Sequence, residues 1–137
     1  MNINIISASI SDYPMIQNMA RFYVYDLSRD CGFISSDWAL PPDGLYESFD
    51  FKDYFQDVDK RAFLIRVDQE IAGFVLINQS GLFVETTWNM GEFFVLAKFQ
   101  NKGIGTQIAT HVWNMLRGNG KYRLFLKTKT PPISGDV

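Results

Sequence analysis

The sequence predicts an α/β fold, a central mixed β-sheet of about five strands flanked by three helices. Three observations predict it. Arg61–Val67 and Ile71–Asn78 are apolar runs on either side of the short polar turn Asp68-Gln69-Glu70, the pattern of an antiparallel hairpin. Trp88–Leu96, Gly103–Arg117 and Tyr122–Leu126 read as strand, amphipathic helix and strand, an order that joins parallel strands by a right-handed crossover. A length of 137 residues, 47% of them hydrophobic, suits one domain with one core. That domain spans residues 1–127, and 128–137 forms an extended tail with two prolines and little apolar content.

The elements follow in order. Asn4–Ala8 is a short apolar strand. Ser11 is placed to cap the next helix, with Asp12 and Pro14 in its first turn. Ile16, Met19, Tyr23 and Leu27 recur at helical spacing, so the helix runs from about Asp12 to Arg29. Cys31–Asp43, with Gly32, Pro41 and Pro42, reads as loop, and Leu45–Phe55 as a second, shorter helix. The hairpin follows, then a loop over Gln79–Thr87. In the last helix Ile104, Ile108, Val112 and Met115 or Leu116 form the buried stripe, and Gly118-Asn119-Gly120 ends it.

Composition excludes several classes. No apolar run approaches the ~20 residues that span a bilayer, and Met1-Asn2-Ile3-Asn4-Ile5 lacks the basic start of a signal peptide. Cys31 is the only cysteine, which fits a reducing cytoplasm, and one cysteine with one histidine makes no zinc site. The net charge of −2 argues against nucleic acid. The charge is uneven, however. Nine acids lie between Asp26 and Asp59 against Arg29 and Lys52, and seven bases lie from Lys98 onward against Asp136. Such a field suits anionic phosphates at one end and a cationic amine at the other.

The chemistry concentrates in the stretch from Glu92 to Thr106. An apolar strand leads into a polar, basic turn, and Gly103 and Gly105 then open a helix. Glycines let backbone N–H groups approach an anion, and a helix start aims unpaired N–H groups and a partial positive charge at it. Lys102 adds a full charge. A dinucleotide fingerprint would continue to a third glycine, where Ile108 stands, and no Gly-Lys-Ser/Thr of a P-loop is present.

Val95-Leu96-Ala97-Lys98-Phe99-Gln100-Asn101-Lys102-Gly103-Ile104-Gly105-Thr106 resembles motif A of the GNAT superfamily of acetyl-CoA-dependent N-acyltransferases. Its pattern is Gln/Arg-x-x-Gly-x-Gly/Ala between the fourth strand and third helix. Gln100, Gly103 and Gly105 fill the defined positions. Ala97 stands where many members have proline, and Gln100 where many have arginine. The element order matches the GNAT fold over roughly residues 3 to 127. The resemblance implies that Gln100, Asn101, Lys102, Gly103, Ile104, Gly105 and Thr106 surround the pyrophosphate of acetyl-CoA. It also implies that the backbone of Phe94, Val95 and Leu96 pairs with the pantetheine arm. GNAT domains usually add a helix and two strands after the fifth strand, often with a tyrosine acting as general acid. No tyrosine follows Tyr122 here, and a homodimer is the expected cover for the sheet edge those strands would occupy.

Acyl transfer to an amine requires the thioester held, the amine neutral and the oxyanion stabilised. Glu92 is the candidate general base, a carboxylate in an apolar strand where desolvation raises basicity. Glu85 is a weaker candidate in a loop. His111 reads as a surface residue and Cys31 as a small, partly buried side chain. Aromatics are dense between Phe22 and Phe55; most are expected in the core, and some could face a cationic substrate. The leading expectation is therefore an N-acetyltransferase moving an acetyl group from acetyl-CoA to a small-molecule or peptide primary amine by direct transfer. The alternative is a catalytically weak module of the same fold that binds acyl-CoA or a partner without turnover. A nucleotide-phosphate module is disfavoured by the absent third glycine.

Overall fold

The computed structural model describes residues 1–47, 50–79, 87–117 and 123–126, with backbone alone at 87, 116, 117 and 123–126. Five strands, β1 (Ile3–Ser7), β2 (Lys60–Val67), β3 (Glu70–Asn78), β4 (Thr87–Val95) and β5 (Arg123–Leu126), form one sheet in that order. Neighbours from β1 to β4 pair antiparallel, and β4 pairs parallel with β5. The helix α2 (Ile104–Arg117) provides the crossover between them. This is the mixed sheet the sequence predicts. The β2–β3 hairpin turns at Asp68 and Gln69, both at positive φ (50° and 76°), as a two-residue turn between twisted strands requires.

The sheet has two covered faces. Ile104, Ile108, Ala109 and Val112 of α2 pack on Ile65, Val67, Val75, Ile77 and Met90. Met115 falls off this stripe and is 40% exposed. On the other face, helix α1 (Tyr13–Cys31) lays Ile16, Met19, Ala20 and Tyr23 on Leu64, Phe74, Leu76 and Phe94. Burying each of these larger side chains is worth roughly 1.5–3 kcal/mol.

Two local expectations are corrected. Ser11 is not the cap of α1. Asp12 instead reaches back, and its carboxylate accepts from the Ser9 backbone N–H at 2.9 Å, closing a 3₁₀ turn over Ile10–Asp12 that leads into the helix. The second helix, placed over Leu45–Phe55, is also absent among the described residues. Only Lys52–Phe55 is helical there, as a 3₁₀ turn, so among the described residues two α-helices flank the sheet rather than three. Side chains compete with the helix there. Asp50 Oδ1 accepts from the Lys52 N–H at 3.0 Å and from the Tyr13 hydroxyl at 2.7 Å. Gln17 takes the Phe51 N–H at 3.0 Å, and Arg21 of α1 holds the Tyr46 carbonyl. The segment is thereby tied to α1 residue by residue.

Glu85, the Gly118–Gly120 stop, Phe49, Tyr122 and the tail 128–137 lie outside the described residues.

Candidate functional site

β4 bends where the sequence inserts one residue. Leu76 stands opposite Glu92 and Ile77 opposite Met90, which leaves Gly91 unmatched as a bulge. A larger residue there would displace the side chains packed beside it. A Cβ on Gly91 would lie 2.6 Å from Asn78 Nδ2 and 2.8 Å from the Tyr54 hydroxyl. The parallel pairing with β5 covers Thr87 to Met90 and ends at the bulge. From Gly91 to Val95, β4 has no strand on that side among the described residues.

The orientation of that open edge follows from alternation. The Leu96 N–H donates to the Ala72 carbonyl of β3 at 2.7 Å. In an antiparallel ladder every second residue turns its backbone groups to the partner. Phe94 and Glu92 therefore face β3, and Val95 and Phe93 face the open side. The Val95 carbonyl is accordingly free of β3 and accepts from Gln100 Nε2 at 2.7 Å.

The turn after β4 presents a ring of amides. Asn101 and Gly103 sit at positive φ (61° and 74°). The first backbone bond of α2 runs from the Gln107 N–H to the Gly103 carbonyl at 3.3 Å. Gly103 is thus the N-cap residue, and the N–H groups of Ile104, Gly105 and Thr106 have no acceptor within the helix. Packing gives no reason for glycine at 105: a Cβ there would touch only the Phe93 ring, at 3.8 Å. A Cβ on Gly103 would meet nothing within 4 Å. Asn101 and Lys102 beside these glycines are exposed. This arrangement fits a diphosphate.

Glu92 stands on the α1 face, in line with Leu76 and Phe94, and is half-buried. The Tyr23 hydroxyl donates to Glu92 Oε2. Burial and that bond push the Tyr23 phenol far above its usual range, against a backbone bond from Phe93. Tyr54 is also raised, by burial first and the Glu92 charge after it, against the bond from Asn78. Asn78 Nδ2 donates to the Tyr54 hydroxyl at 2.9 Å, and Asn89 Nδ2 donates to Asn78 Oδ1 at 3.3 Å. A polar cluster of Glu92, Tyr23, Tyr54, Asn78 and Asn89 therefore sits at the bulge. The sequence singles out Glu92 as candidate base and places Tyr23 on the apolar stripe of the first helix, among the aromatics expected mostly in the core. The usable signal was an aromatic with a polar tip on the buried helix face.

His111 is exposed on α2 and Cys31 half-buried at the end of α1. Phe22, Tyr25 and Phe33, expected mostly in the core, are 58%, 63% and 103% exposed, with Asp26 and Asp30 on the same helix end. Among the described residues no helix is long and apolar enough to cross a membrane.

Comparison with known proteins gives one consistent likeness. Residues 21–132 match the family model described as Acetyltransferase (GNAT) family. The fold is similar to an acetyltransferase from Vibrio fischeri, at a TM-score of 0.63 and 15% identity, over 90% of this chain and 93% of that one. It is similar to spermidine N-acetyltransferase from Vibrio cholerae, solved with CoA and spermine, at 0.61 and 16%, over 90% of this chain and 69% of that one. It is also similar to ribosomal-protein-alanine N-acetyltransferase from Brucella melitensis, at 0.60 and 16%, over 93% and 81%. No curated protein matches the chain with significance.

Proposed function

The chain belongs to the GNAT acetyltransferase family, and from that premise we propose that it transfers an acetyl group from acetyl-CoA directly to a primary amine. One observation carries the reading. The unpaired amides of Ile104, Gly105 and Thr106 and the open edge of β4 from Gly91 to Val95 flank the same turn, and Glu92 lies on that strand.

Acetyl-CoA supplies the thioester carbonyl. The amides at 104–106 and the Lys102 charge bind its diphosphate, and the Gly103 and Gly105 backbones admit it closely. Of Phe94, Val95 and Leu96, expected along the pantetheine arm, Phe94 and Leu96 turn their backbone to β3, so Val95, with Phe93 in their place, orients the arm as an added strand would. Glu92 accepts the proton that a primary ammonium must lose before its nitrogen can attack, directly or through one water. As the C–N bond forms, the C–S bond breaks, and CoA leaves as a thiolate that takes up the second proton released by the acylated nitrogen. The excess of acids between Asp26 and Asp59 favours a cationic amine. Spermidine and ribosomal-protein alanine, named for two similar structures, exemplify a small and a peptide amine.

We extend the proposal to pairing of two copies along β5, the last strand of the sheet in the described residues. Sedimentation across a hundredfold concentration range reads it; a monomer throughout rejects the pairing alone.

Release of free thiol from acetyl-CoA over a panel of amines tests the activity. Amine-dependent release supports the enzyme. Calorimetric binding of CoA without release selects the alternative, a module of the same fold without turnover. Folded protein that binds no CoA overturns both.

A further inference from the structure

The Tyr23 side chain belongs to no part of the cofactor cradle, and its position in the helix suits it to the core. Its hydroxyl nevertheless ends on the Glu92 carboxylate. The ring cannot swing away. It packs edge-on against Phe74 at 5.7 Å and tilted against Phe94 at 5.9 Å, and both partners are almost wholly buried. Phe94 and Glu92 lie two residues apart on β4, so the strand that carries the carboxylate also fixes the ring.

We propose that Tyr23 is a positioning residue that holds the Glu92 carboxylate in one orientation and in its charged form. The inference rests on the reading of Glu92 as general base. A glutamate on a strand rotates about its terminal bond, and a half-buried one gains basicity at the cost of being protonated when the amine arrives. A phenol that donates to one oxygen removes that rotation and favours the carboxylate. The donor cannot be lost in the working range, because burial and the Glu92 charge keep the phenol protonated.

The groups that face Glu92 are drawn from three elements. Tyr23 comes from α1. Tyr54, from the 3₁₀ turn at Lys52–Phe55, stays protonated for the same two reasons. From β3 come Leu76 opposite and Asn78, which donates to Tyr54. The cation beside this cluster is Lys60, over the Tyr54 ring at 5.5 Å and paired with Asp53 and Asp57. Tyr23 is thus a hydrogen-bond donor to the carboxylate, held in place by α1.

Tyr23→Phe tests this, since it keeps the ring and removes the hydroxyl. The protein is labelled with ¹³C at glutamate carboxyls, and the Glu92 signal is assigned by its loss in Glu92→Gln. In Tyr23→Phe the Glu92 titration is expected to move upward by about one pH unit, one charge-assisted bond being worth roughly that. Where an amine is turned over, the acidic limb of the pH–rate profile moves up with it, kcat falls about tenfold near neutrality and CoA affinity is unchanged. An unmoved Glu92 titration in folded Tyr23→Phe overturns the proposal. Full turnover by Glu92→Gln would instead reject Glu92 as the base and leave the titration result standing. A Tyr23→Phe protein with reduced kcat but an unmoved titration and pH profile would mark Tyr23 as structural, which also overturns it.

Discussion

The Val95 carbonyl accepts a hydrogen bond from the Gln100 side chain, 2.7 Å across the turn that leaves β4. The contact ties the cradle to the strand whose open edge it extends. The side chain expected beside the diphosphate is thus engaged in shaping the loop. Removing it leaves Asn101 to hold its positive φ with one fewer constraint. A neutral hydrogen bond of this kind is worth about 0.5–1.5 kcal/mol. Gln100→Ala is therefore expected to lower the thermal midpoint by roughly 2–5 °C and to weaken CoA binding by about tenfold at most. Calorimetry against CoA checks it, and unchanged affinity would mean the turn needs no such tie.

Gly105 offers a sharper probe of the cradle. Its missing Cβ is not required by the protein's own packing, because the nearest heavy atom it would meet is 3.8 Å away. Gly105→Asp should accordingly fold. It should abolish CoA binding, since it places bulk and negative charge beside the amides of Ile104 and Thr106. Gly105→Ala should bind CoA more weakly than wild type and melt no lower. An aspartate variant with native affinity would place the diphosphate elsewhere.

Glu92→Gln separates binding from chemistry. The amide keeps the size of the carboxylate and can still accept from Tyr23, so the fold and the CoA site should survive. General-base catalysis typically contributes 10²–10⁴-fold. A loss of kcat in that range with an unchanged Kd for CoA is the expected result. A loss confined to KM for the amine would assign Glu92 to binding the acceptor instead.

Much of this was legible in the sequence, for definite reasons. The hairpin showed itself because β2 and β3 are buried and their turn is polar. The turn into α2 showed itself because Gly103 and Gly105 stand at fixed offsets ahead of an amphipathic run. The 3₁₀ segment at Lys52–Phe55 was misread as helix because Asp50, Gln17 and Arg21 compete for its backbone from outside the segment. No local pattern reports a partner 34 residues away. The Gly91 bulge was invisible for a similar reason, since a register slip exists only relative to β3. Tyr23 was hidden in plain periodicity: apolar spacing explains its ring, and only the fold reveals what its hydroxyl meets.

The Tyr13 hydroxyl and Asp50 tie the start of α1 to the segment entering the 3₁₀ turn, at 2.7 Å. The Tyr13 bond, followed by the Lys52 N–H, holds the Asp50 carboxyl below its usual range. The same bond, ahead of burial and the Asp50 charge, raises Tyr13. A depressed carboxyl contributes stability above its unfolded pKa of about 3.9, and that stability is lost as pH falls through the lower folded value. A raised phenol contributes stability below its unfolded pKa of about 10, and that stability is lost as pH rises through the higher folded value. The tie should therefore act at constant strength between about pH 5 and 9 and fade on both sides. Urea midpoints of wild type and Tyr13→Phe should differ by a fixed, small amount across that window, since the bond lies at the solvent-exposed surface. The two curves should converge in acid as Asp50 becomes protonated. A difference that persists undiminished at about pH 2, well below the carboxylate range, would show that Tyr13→Phe acts through ring packing on Phe55, 5.6 Å away, rather than through its hydroxyl.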